Sequence, residues 1–171
     1  MLQLEAVDYF YLCAEIGIAL AGFAAIVVAI GQRNNGPADS VTSWYIEMLV
    51  ERGLAAAFFA LLPVLLSGLQ LNTDLIWLLS SGLFSIYGFF LAWRSLSFRK
   101  RSTTNDTENL SSKAFSVLMS AGIIMILIQI LNASGYLINQ SSWWHAMAVT
   151  WLLISQGYLF LIFFKRSGID S

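Results

Sequence analysis

The chain has 171 residues, 58% of them hydrophobic and 11% charged, with a mean hydropathy of +0.72. Soluble domains carry about 25% charged residues, so this balance excludes an ordinary water-soluble globule and points to an all-α polytopic membrane protein. The net charge of -1 says little about partners, because in a membrane chain the placement of charge matters more than its sum; no nucleic-acid partner is expected.

The first eight residues, MLQLEAVD, carry Glu5 and Asp8 and no Lys or Arg. They lack the positive n-region of a secretory signal, so the first apolar run is expected to stay in the mature protein. That run, 9–31, is long enough to cross a hydrocarbon core of roughly 30 Å at about 1.5 Å per helical residue. Glu15 lies well inside it. At roughly 100° per residue, Ala19, Gly22, Ala25 and Ala29 fall on the same side as Glu15, a strip of small residues interrupted by Ile18 and Ile26. A neighbouring helix is expected to pack there, closest at Gly22. Cys13 is the only cysteine, which excludes an intramolecular disulfide and a cysteine-rich metal site; it reads as a small packing residue.

Residues 32–43 read as a turn, with Asn-Gly-Pro breaking the first helix and Ser40, Thr42 or Ser43 able to cap the next. The second span is expected over 44–71. Its start is amphipathic, and Glu47 and Glu51, four residues apart, share a face on which like charges repel by a few tenths of a kcal/mol. Arg33 or Arg94 is the natural counter-charge, so Arg33, Glu47, Glu51, Arg52 and Arg94 form either a charge network that fixes helix ends or a vestibule that attracts ions. Pro63 inside this span removes a backbone hydrogen bond and predicts a kink.

The next turn is so short that the second span and the third, 75–98, must be antiparallel neighbours. Ser80, Ser81, Gly82, Ser85 and Gly88 allow close helix approach along the third span. It ends in a collar, Arg99, Lys100 and Arg101, suited to anionic lipid. A polar loop over 102–112 leads to the fourth span, 114–138, with Gln129 and Asn132. The fifth, 145–164, carries Thr150, Ser155, Gln156 and Tyr158, and Trp143, Trp144 and His145 mark the membrane interface before it.

With five spans, all nine Lys and Arg fall on one side of the membrane, since the turns at 70–74 and 139–144 contain none. The positive-inside rule then predicts a compact five-helix bundle, one domain over 1–171, with its N-terminus outside and its C-terminus cytoplasmic. The expected location is the plasma membrane, of the bacterial inner-membrane kind. No phosphate loop, metal-spaced histidine pair or nucleophile, base and acid set is present, so neither an enzyme nor a cofactor or metal is expected. His145, the sole histidine, reads as a hydrogen-bonded boundary group.

Counting helical rise from the outer end puts Glu15 about 10 Å deep, level with Ser80 or Ser81 and Asn132, with Gln129 a turn deeper. No basic residue reaches that level. Glu15 is then protonated, solvated by an aqueous cavity, or paired with a cation outside the chain. Two functions fit this polar site. One is a homo-oligomeric cation or proton channel with Glu15 on the pore axis, aided by Ser80, Ser81, Gln129 and Asn132. The other is a non-conducting anchor, sensor or assembly subunit whose basic face meets a cytoplasmic protein.

Overall fold

The computed structural model describes residues 4–35, 40–101, 112–137 and 141–166. They form five helices: α1 Leu4–Asn35, α2 Ser40–Gly68, α3 Thr73–Arg101, α4 Ser112–Ala133 and α5 Ser141–Arg166. Each contains a stretch long and apolar enough to cross a membrane: Val7–Val27, Ile46–Gly68, Thr73–Ser97, Ser116–Ala133 and Ser141–Ile162. Large apolar side chains such as Leu65, Ile86, Phe89, Trp93 and Ile154 are exposed, while Ser80, Ser81, Gln129, Asn132, His145 and Gln156 are buried. That distribution is the reverse of a soluble protein's and suits helices whose outer faces meet lipid.

The helix ends follow local chemistry. α1 is described as helix as far as Asn35. α2 already begins at Ser40, so the connection after α1 is shorter than 32–43. α2 runs unbroken through the buried Pro63. After Gly68 the chain turns through Gln70, held at a left-handed φ of 55°. Asn72 then caps α3: its Oδ1 accepts from the Asp74 amide at 3.4 Å and its carbonyl accepts from the Ile76 amide at 3.0 Å. Asp74 in the first turn also answers the positive end of the helix dipole.

α4 ends at Ala133, although the apolar run continues to residue 138. The cause is Gly135 at a φ of 83°. The Tyr136 amide donates to the Leu131 carbonyl and the Gly135 amide to that of Asn132, both at 3.2 Å, the paired bonds of a Schellman C-cap. α5 starts at Ser141 rather than 145, so Trp143, Trp144 and His145 are helical.

By contacts the chain divides into two compact units. The first, Leu65–Ala148, holds the last turn of α2, all of α3, the described part of α4 and the first two turns of α5. Here α3 and α4 approach closely at Gly88, where a Cβ would lie 2.7 Å from Cγ1 of Ile126. The second unit combines α1, α2 up to Val64 and α5 from Val149 onward. Its core includes Phe10, Ala14, Ala21, Ala24, Met48, Leu49, Ala56 and Ala60. The alanines among them, with Gly17 and Gly53, let α1 and α2 touch backbone to backbone. A Cβ at Gly17 would lie 2.7 Å from the Gly53 carbonyl oxygen, and one at Gly53 would lie 2.6 Å from that of Gly17.

Candidate functional site

The first unit encloses a buried polar cluster built on three helices. On α3, Trp77, Ser80, Ser81, Phe84 and Ser85 recur at helical spacing and all face inward. On α4, Gln129 and Asn132 are three residues apart and project from one face; on α5, Ser141 and His145 are four apart and do the same. Asn132 is the junction. Its Nδ2 donates to Ser81 Oγ at 2.9 Å and to the Ser141 carbonyl at 3.1 Å, tying α4 to α3 and to the start of α5. Gln129 makes a second junction, with Nε2 donating to the Trp144 carbonyl at 2.9 Å and Oε1 standing 3.1 Å from His145 Nδ1. Because Oε1 can only accept, His145 carries its proton on Nδ1. The imidazole lies between Trp77 and Phe84, with ring centroids at 5.9 and 6.0 Å. Ser85 and Ser141 return their hydroxyls to the carbonyls of Ser81 and Leu137.

Of the residues expected around the intramembrane acid, Ser81, Gln129 and Asn132 are thus brought together, with Ser80 buried beside Ser81. Glu15 belongs to the second unit. It lies on an exposed face of α1, and no hydrogen bond or ion pair joins it to another described residue. Ala19, Gly22 and Ala25 are exposed on the same helix, and a Cβ at Gly22 would meet nothing within 4 Å. The close approach that α1 makes within the chain is at Gly17, on a different face.

In the second unit, Gln156 of α5 donates from Nε2 to the Leu49 carbonyl of α2 at 3.1 Å, beside the Gly17 and Gly53 contact. Tyr9 of α1 shares a hydrogen bond with Thr150 of α5. Glu47 is exposed and Glu51 and Arg52 are half-buried on α2, while Arg94 is half-buried on α3; each of the four is engaged in an interaction. The side chains of Arg33, Arg99, Lys100 and Arg101 lie outside the described residues. Among the described residues no three His, Cys, Asp or Glu side chains are placed to hold a metal ion.

Trp77 and Phe84 are cluster members that the sequence alone did not single out, and so are Ser141 and His145. The i, i+4 spacing of Ser141 and His145 was the available signal, masked by the adjacent Trp143 and Trp144, which read as an interface belt. Comparison with protein-family models, with curated proteins and with solved structures gives no match.

Proposed function

We propose that this chain is a small integral membrane protein that assembles with copies of itself through the exposed strip of α1 and passes a cation or proton at Glu15. The observation that carries the reading is the exposure of Glu15, Ala19, Gly22 and Ala25 together within an apolar span. A carboxyl group facing hydrocarbon is costly, whereas one facing a symmetry axis shared by several copies has water or a cation beside it. Gly22 supports the same reading, since small residues are what a second helix needs for close approach. The sidedness of the nine basic residues supports an external N-terminus and a cytoplasmic C-terminus, and a plasma-membrane location is part of the same proposal.

One observation favours the non-conducting alternative for part of the expected site. Ser81, Gln129 and Asn132 are buried and bonded to their neighbours, as a structural knit would be. An anchor, sensor or assembly subunit acting through the basic face at Arg99, Lys100 and Arg101 has the same interior. The readings separate on assembly and current. With Cys13→Ala as background, Gly22→Cys should form disulfide-linked copies in the membrane, and wild-type protein in planar bilayers should give single-channel currents that Glu15→Gln alters. A monomeric, silent protein would leave the anchor class.

A further inference from the structure

We propose that the polar cluster of the first unit holds an internal water that donates a hydrogen bond to Asn132 Oδ1 and accepts one from the Ser80 hydroxyl. Both Nδ2 protons of Asn132 are committed, to Ser81 Oγ and to the Ser141 carbonyl. That fixes the orientation of the amide, since a flip would set its oxygen against the Ser141 carbonyl, acceptor to acceptor. Asn132 Oδ1 is buried and has no hydrogen-bond partner among the described residues, and the same is true of Ser80 Oγ. Ser80 is fully buried and directly precedes the serine that Asn132 contacts.

A buried acceptor and a buried hydroxyl within one cluster are complementary to a water, which gives two protons and takes two. Internal waters occupy such sites because the alternative is a desolvated polar group with nothing in exchange. A cation fits the donor set less well. The sole carboxylate among the described residues of this unit, Asp74, is exposed at the start of α3, so the buried oxygens are neutral. The water would complete the junction at which α3, α4 and α5 meet.

The test compares Ser80→Ala, Asn132→Ala and the double variant by thermal denaturation in detergent, together with an experimental map of the wild-type protein that resolves ordered water. A water-bonded Ser80 hydroxyl makes Ser80→Ala lower the melting temperature by about 2–4 °C. The double variant then loses less than the two single losses added, because one water serves both groups. The map should show a water within hydrogen-bonding distance of both oxygens. A Ser80→Ala protein that melts at or above the wild-type temperature overturns the proposal, because deleting an orphaned hydroxyl is neutral or favourable. A map without a water bonded to both oxygens overturns it as well.

Discussion

Gln129 on α4 and His145 on α5 are locked in one orientation each: Oε1 of Gln129 takes the Nδ1 proton of His145 while Nε2 of Gln129 donates to the Trp144 carbonyl one residue earlier. A single side chain therefore satisfies two groups on the neighbouring helix. In an apolar surrounding such groups have no water to fall back on.

Gln129→Leu removes both bonds and leaves the imidazole N–H without its acceptor. The expected loss of stability is about 1–3 kcal/mol, the cost of stranding a buried polar group. Gln129→Glu, which keeps an acceptor for Nδ1, should cost less provided its carboxyl is protonated. Thermal denaturation in detergent measures both. A Gln129→Leu protein as stable as wild type would show that the pair contributes nothing.

Gly17 and Gly53 should tolerate no side chain. A Cβ on either would enter the other's carbonyl oxygen, and backbone cannot move aside as a flexible side chain can. Gly53→Ala would also push into Gln156 Nε2. The expected cost is about 1–3 kcal/mol for alanine at either position. Gly22→Ala should leave the stability of the separate chain unchanged. Equal effects at Gly17 and Gly22 would contradict the placement of these faces.

Tyr9→Phe and Thr150→Val each delete one half of the bond between α1 and α5. Bonds between membrane helices are worth about 0.6 kcal/mol on average, so each variant should be mildly destabilised and the double variant should lose less than the two single losses added. Fully additive losses would show that the two hydroxyls do not act together.

The proposed orientation is tested independently of function. A reporter fused after Ser171 should read as cytoplasmic, and in a Cys13→Ala background Asn72→Cys should label from outside. Both sites reporting the same side would contradict an odd number of crossings between them and the proposed sidedness of charge.

Five apolar helices were legible because each apolar run is longer than a soluble core helix needs and the intervening turns are polar. The end of α4 was not, because Gly135 and the two C-cap bonds stop it inside an apolar run whose composition continues. Gln129 and Asn132 could be named as inward-facing from their spacing, but their partners depend on which α5 residues lie across from them. α1 shows the limit most clearly. It carries two strips of small residues, one through Cys13, Gly17, Ala21 and Ala24 and one through Ala19, Gly22 and Ala25. Only the position of Gly53 on α2 decides that the first is the contact within the chain.

The most direct test of the proposed function is flux through liposomes that contain purified protein and a pH-sensitive or cation-sensitive dye, comparing wild type with Glu15→Gln. Glutamine keeps the size and most of the hydrogen bonding of the side chain and removes its charge. The proposed function predicts a wild-type flux that Glu15→Gln abolishes or strips of its pH dependence while the protein remains folded. No wild-type flux at any pH or voltage, with both proteins equally stable, would contradict it.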